Sequence, residues 1–83
     1  MRNLGPKSRA WLASIGVFSL EDLRARGSVA VYFHLKASGF PVSKNLLWAL
    51  LGAEWDLHWS CIPAELKTSA LTELAKREHP PER

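Results

Sequence analysis

Apolar side chains recur every three or four positions along most of the chain, which is the spacing of helices that bury one face. Five such stretches occur, and glycine, proline and serine separate them. No stretch sustains the period-two alternation of a β-strand. The pattern predicts an all-α fold of five helices whose core comprises Trp11, Leu12, Ile15, Leu20, Leu23, Val31, Tyr32, Leu35, Leu46, Leu47, Leu50, Trp59, Leu66, Ala70, Leu71 and Leu74.

The helix boundaries follow from residues that favour caps and turns. Pro6 suits the first position of a helix, and Gly16 is typical of a left-handed C-terminal cap that Val17 would cover with an apolar contact. Ser19, with Asp22 three residues later, has the spacing of a capping box. The predicted N-caps of the first four helices are Gly5, Ser19, Ser28 and Ser43, the predicted stops of the first three are Gly16, Gly27 and Gly39, and Pro63 opens the fifth.

The fourth helix is apolar on two sides. One stripe holds Leu46, Leu47 and Leu50, and the other holds Trp48, Leu51 and Trp55. A helix of this kind lies either at the centre of a fold or between a domain and its partner, and we favour the central position. If exposed, Trp48 and Trp55 would form a partner-binding patch for another protein, such as a transcription factor, or for a second copy of the chain as a homodimer.

Length and composition limit the class of protein. The 83 residues suit one small domain, which we place at residues 1–78, followed by a disordered tail at 79–83 that contains two prolines. The single cysteine excludes an intramolecular disulfide and a cysteine-rich metal site. No apolar run approaches the ~20 residues of a membrane span, and no signal peptide follows Met1. We therefore expect a cytoplasmic protein without membrane contact.

The positive charge is concentrated in the first half of the chain. Residues 1–45 carry seven lysines or arginines and two acidic residues, a net charge of +5. Residues 46–83 carry four lysines or arginines and six acidic residues, a net charge of −2. Such asymmetry favours a polyanion or an acidic partner for the first half. The alternative is ordinary solubilising charge.

The strongest binding candidates lie at the start of the first helix, at Gly5, Lys7, Ser8 and Arg9. A glycine turn before a helix leaves backbone N–H groups unpaired at the positive end of the helix dipole, and such groups hold a phosphate without contacting bases. Ser8 would add a hydrogen bond, and the two cations would add charge. The alternative is a simple helix start with solvated cations. The turn at Gly16 is a poorer candidate because acidic residues follow it and would repel phosphate.

Other polar residues have structural interpretations. Arg24, Arg26 and Lys44 would extend a basic surface if they faced the same way, but we favour the interpretation that they face different ways. We expect His58 to cap a helix end through a ring nitrogen and Cys61 to be a small buried residue. No nucleotide-binding loop, nucleophile elbow or set of metal ligands occurs in the sequence. We therefore expect no enzyme activity, no cofactor and no metal.

Several motifs resemble known proteins. The segment Leu4-Gly5-Pro6-Lys7-Ser8 is similar to the hairpin of helix-hairpin-helix DNA-binding proteins and to a segment of the C-terminal domain of the bacterial RNA polymerase alpha subunit. A longer series comprises Arg2 to Leu23, Tyr32-x-x-Leu35-Lys36, Ser43-x-Asn45-Leu46-Leu47-x-Ala49-Leu50-x-Gly52-Ala53, and His58-Trp59 before Pro63. This series resembles the C-terminal domain of TfoX (Sxy), a family of bacterial regulators of natural competence. The resemblance extends from about Arg2 to Leu74.

The resemblance implies a compact five-helix domain with a helix-hairpin-helix or SAM-domain-like core. It also implies a regulatory module linked to transcription of DNA-uptake genes, one that contacts the backbone of duplex DNA, a transcription factor or RNA polymerase. The alternative is a protein-interaction or self-association module without direct DNA binding. The full-length regulators carry another domain before this one, so the chain is either a free-standing relative or a fragment.

Overall fold

Five α-helices follow one another along the chain, as the spacing of apolar residues predicts. The computed structural model describes residues 4–79, and within that range it contains no β-strand and no helix with the length and apolar character needed to cross a bilayer. The helices are α1 (Pro6–Ser14), α2 (Leu20–Arg26), α3 (Ser28–Ala37), α4 (Lys44–Trp55) and α5 (Ala64–Glu78), with a 3-10 turn at Trp59–Cys61. The predicted all-α fold is confirmed. Apart from His79, the predicted tail lies outside the described residues.

α1 ends at the glycine turn that the sequence predicts. Gly16 has a φ of 84°, in the left-handed region that L side chains rarely adopt. Its N–H donates to the carbonyl of Ala13 at 3.1 Å, and the N–H of Val17 donates to the carbonyl of Leu12 at 2.9 Å. These two bonds form a Schellman motif, and Val17 is buried beside it. The predicted left-handed cap and its apolar contact are confirmed.

α3 begins differently from the prediction. Gly27, with a φ of 85°, is the N-cap, and Ser28 is the first helical residue. The Ser28 hydroxyl donates to a carboxylate oxygen of Glu54 at 2.6 Å, and the Ser28 N–H donates to the same oxygen at 3.0 Å. The prediction that Ser28 caps α3 is wrong, because the acceptor at this helix end comes from Glu54 of α4.

α3 and α4 form the centre of the fold. Leu35 of α3 and both Leu47 and Leu50 of α4 are fully buried. α4 contacts α2, α3 and the 3-10 turn, so elements surround it on several sides. The predicted central position of the fourth helix is confirmed. Ser43 and Pro63 occupy the N-cap positions of α4 and α5.

α5 is attached mainly to α3. Its Ala70 and Leu74, one turn apart, are buried, and Leu66 packs half-buried against the same core. An ion pair between the Lys36 ammonium of α3 and the Glu78 carboxylate, at 3.1 Å, adds a second link. Because half of the Lys36 side chain is exposed, solvent screens this pair and its contribution to stability is small.

Three residues that the sequence predicts to be buried are exposed. Leu71 exposes 38% of its surface and Trp59 exposes 46%, and Cys61 is exposed as well. The buried face of α5 includes Ala70, so Leu71 lies about 100° around the helix from it. Trp59 and Cys61 lie in the 3-10 turn, after which Ile62 supplies the buried side chain. The core predictions for Leu71 and Trp59, and the predicted burial of Cys61, are therefore wrong.

Candidate functional site

The four predicted binding residues lie in succession at the start of α1. Gly5 is the N-cap with extended backbone, and its carbonyl accepts the N–H of Arg9 at 3.0 Å. Within residues 4–79, no side chain caps this helix end and no acidic residue lies in the first turn. Gly5, Lys7 and Arg9 are exposed, and Ser8 is half-buried. Lys7 and Arg9 are two positions apart and lie about 200° from each other around the helix. An anion at this end of α1 would therefore meet the positive end of the helix and the Ser8 hydroxyl, with one cation on either side.

An aromatic ring positions Lys7. The Lys7 ammonium lies 5.4 Å from the ring centroid of Trp11, which is one turn further along α1. Trp11 in turn packs against Phe40, with 5.2 Å between the ring centroids. A cation over an aromatic face gains about 0.5–1 kcal/mol at an exposed site. The contact therefore holds the Lys7 charge near the start of α1 without burying it.

A groove lies between α1 and the turn at Gly16, which is the second glycine turn of the chain after the one at Gly5. It has a volume of about 450 Å³, and Arg9 of α1 and residues 17–20 contribute to its lining. Phe18 lies in this lining and exposes 72% of its surface. Phe18 is not among the predicted site residues. Its exposure could have been inferred from its neighbours. Phe18 stands between Val17, the buried residue after the glycine cap, and Ser19, the N-cap of α2.

At the turn after Gly16, side chains of the same segment accept hydrogen bonds from its backbone N–H groups. The N–H of Asp22 donates to the hydroxyl of Ser19 at 3.2 Å, as in a capping box. The Asp22 carboxylate accepts the N–H of Phe18 at 2.9 Å, one residue earlier than a capping box would place that bond. Because a carboxylate already occupies this turn, the geometry agrees with the prediction that it is the poorer anion site.

Arg24 and Arg26 of α2 serve the ends of other helices. The Arg24 Nε donates to the carbonyl of Glu54, in the last turn of α4, at 3.1 Å. One Arg26 nitrogen donates to the carbonyl of Ile15, just after α1, at 2.7 Å, and another contacts Nδ1 of His34. Carbonyls at helix C-termini lack donors within their own helix, so these arginines stabilise two separate helix ends. This agrees with the interpretation that they face different ways.

The two predicted partner-binding indoles have different surroundings. Trp48 and Trp55 are seven residues apart on α4 and therefore share one side of that helix. Trp48 is half-buried, and the Lys67 ammonium of α5 lies 5.2 Å from its ring centroid. Trp55 is the last residue of α4 and exposes 56% of its surface. Of the two, Trp55 offers the larger surface to a partner.

Comparison with protein families tests the relationship that the motifs indicate. The family model of the TfoX C-terminal domain matches residues 1–74. The chain belongs to the TfoX C-terminal domain family. The matched range spans α1 to α4 and continues into α5 as far as Leu74, so it includes both the start of α1 and the Trp55 surface. No curated protein and no solved structure matched the chain.

In this TfoX C-terminal domain, the His58-Trp59 motif starts the 3-10 turn between α4 and α5, with His58 as its N-cap. The Nδ1 atom of His58 accepts the N–H of Ser60 at 3.2 Å and lies 2.6 Å from the Ser60 hydroxyl. The predicted capping role of the His58 ring nitrogen is confirmed. The same hydroxyl is 3.9 Å from the Cys61 sulfur. Across residues 4–79, no three His, Cys, Asp or Glu side chains are grouped as metal ligands.

Proposed function

We propose that this TfoX C-terminal domain is a regulatory module that holds the DNA backbone at the start of α1. The observation that carries the proposal is the helix start after the extended Gly5, which no side chain in the described range caps and whose first turn holds Lys7, Ser8 and Arg9. Backbone N–H groups of the first turn would donate to a phosphate oxygen, the Ser8 hydroxyl would add a bond, and the cations would neutralise charge.

Charge and family support the same proposal. The first half of the sequence, which contains α1, has a net charge of +5. Contacts of this kind bind DNA without reading its sequence, so a partner such as a transcription factor or RNA polymerase would supply specificity. The resemblance to TfoX points to DNA-uptake genes as the targets of such regulation. We also propose that the domain acts by binding and not by catalysis.

The proposal is tested by titrating short duplex DNA against the full chain between about 50 mM and about 200 mM salt. We expect the double variant Lys7→Ala, Arg9→Ala to bind more weakly and to lower the slope of log K against log salt by about 1.8, because each neutralised phosphate contributes about 0.9. The control is Lys76→Ala, Arg77→Ala, which removes the same charge from the last turn of α5. Equal binding by the two double variants, or no binding by the native chain at low salt, would contradict the proposal.

A second candidate function is a protein contact through Trp55, with Trp48 beside it on α4. The observation that favours it is the 56% exposure of Trp55 at the end of the helix. Exposed aromatic side chains are common anchors of protein interfaces. The domain would then act through another protein or through a second copy of itself, without requiring DNA.

Sedimentation equilibrium tests self-association. If Trp55 joins two copies, the apparent mass rises with protein concentration, and Trp55→Ala returns it to the mass of one chain. Trp59→Ala is the matched control, because Trp59 is also an exposed indole but lies in the 3-10 turn. A native chain that remains monomeric at every concentration tested would exclude the homodimer.

A further inference from the structure

A groove lies beside Trp55 where three helices meet. It has a volume of about 230 Å³, and its walls are the first residues of α3, the end of α4 and the middle of α5. Leu51 and Ala70, both buried, and the half-buried Leu66 give it an apolar base. Its polar and aromatic lining comes chiefly from Glu54, Trp55, Ser69 and Glu73.

The groove is acidic although the chain as a whole is basic. Its lining holds two carboxylates and, within the described residues, no lysine or arginine. Glu54 uses one oxygen to accept both bonds from Ser28, while Arg24 donates to the Glu54 backbone carbonyl nearby. Among residues 4–79, Glu73 forms one ion pair, with Arg77 at 3.4 Å, and 54% of the Glu73 side chain is exposed. A pair of this kind is weak, so the Glu73 carboxylate is available to a better-placed cation.

Trp55 adds a surface that favours a particular type of cation. Trp55 is more than half exposed and lines the same groove as the two carboxylates. On the same side of α4, the Trp48 ring already receives the Lys67 ammonium, which shows that this side accommodates a cation over an indole. The planar guanidinium of arginine stacks on aromatic faces and pairs with a carboxylate through two parallel hydrogen bonds, and lysine lacks that geometry.

We infer that this groove binds an arginine side chain from a basic segment of a protein partner. The guanidinium would stack on Trp55 and donate to Glu73, while its methylene stem would cover the apolar base. The inference rests on the second candidate function and names the chemistry of that partner. Two carboxylates repel phosphate, so the groove is unsuited to DNA, and the two candidate surfaces are separate.

Titration of the full chain with the blocked peptide acetyl-Gly-Arg-Gly-amide tests the inference, followed by NMR of the tryptophan indole and backbone amide signals. We expect saturable shifts of the Trp55 indole and the Ser28 amide with a dissociation constant on the order of 1 mM, typical of one side chain in a shallow site. The peptide with citrulline in place of arginine has the same shape without the charge. Citrulline binding equal to arginine binding, or no saturable shift with arginine, would overturn the inference.

Paired variants show whether the binding occurs in the groove. We expect Trp55→Ala to raise the dissociation constant of the arginine peptide about tenfold through loss of stacking. We expect Glu73→Gln to raise it about fivefold through loss of the charged pair. Trp59→Ala and Glu65→Gln are the matched controls and should bind as the native chain does, because neither residue lines the groove. Equal weakening by the controls would place the peptide elsewhere and overturn the inference.

Failure of the arginine inference can be told apart from failure of the proposed DNA contact or of the proposed self-association. DNA titration depends on the cations of α1, and sedimentation reports contact between two copies. Self-association through Trp55 combined with no arginine binding would overturn the inference and leave the second candidate function intact. Arginine binding by a strictly monomeric chain would support the inference and identify the partner as a different protein.

Discussion

Replacement of Leu50 by alanine lowers the free energy of unfolding by about 3–4 kcal/mol, because the side chain is fully buried at the centre of α4. The loss combines the removed transfer free energy with the cavity that the surrounding helices fail to fill. Small domains have total stabilities of about 5–15 kcal/mol, so this change removes a large part of the total. Urea denaturation followed by circular dichroism measures it as a lower midpoint with an unchanged slope.

The matched control for Leu50 is Leu71→Ala, which removes the same atoms from a position that is 38% exposed on α5. We expect a loss of about 1 kcal/mol or less, since part of this side chain contacts water in the folded state. If the two variants lose similar stability, the outer face of α5 is covered by another element and the described core is incomplete.

Replacement of Glu54 by alanine is expected to lower the free energy of unfolding by about 2–3 kcal/mol. It leaves the N–H and the hydroxyl of Ser28 without their acceptor, and Ser28 is 1% exposed, so water does not replace the lost bonds. It also removes a negative charge from the N-terminus of α3. Urea denaturation measures the loss, and Glu54→Gln should restore part of it because the amide oxygen still accepts.

Two comparisons isolate the contact between Glu54 and Ser28. Glu65→Ala removes an exposed carboxylate from the first turn of α5 and should cost less than about 1 kcal/mol. In a double-mutant cycle, Ser28→Ala and Glu54→Ala should lose about 1–2 kcal/mol less together than the sum of the single changes. Strict additivity, or an equal cost for Glu65→Ala, would show that this carboxylate does not stabilise the start of α3.

Local signals in the sequence predicted where the helices begin and end, but not the contacts between residues that are distant in sequence. Gly16 and Val17 define the end of α1 because a left-handed cap involves only adjacent residues. The carboxylate at the start of α3 was not predictable in this way, since Glu54 is 26 positions from Ser28 and only the packing of α4 brings them together. The serine type at position 28 fits an N-cap equally well, which explains the wrong prediction.

The candidate site was predictable to the extent that it is contiguous in sequence. Lys7, Ser8 and Arg9 occupy one turn, so recognising the helix start was enough to group them. Phe18 enters the same groove as Arg9 only through the packing of the second turn against α1. The prediction that Trp59 is buried was based on its large apolar side chain. It failed because Trp59 lies in a 3-10 turn that joins two helices, where the apolar periodicity of an α-helix does not apply.

The attachment of α5 has a consequence for local opening of the domain. This helix packs chiefly on α3, and its buried contacts include the short side chain of Ala70. A helix that is held by few buried contacts opens at a lower free energy than global unfolding requires. Because α5 is also one wall of the groove beside Trp55, a molecule bound there would slow amide hydrogen exchange along the whole helix, linking occupancy of the groove to closure of α5.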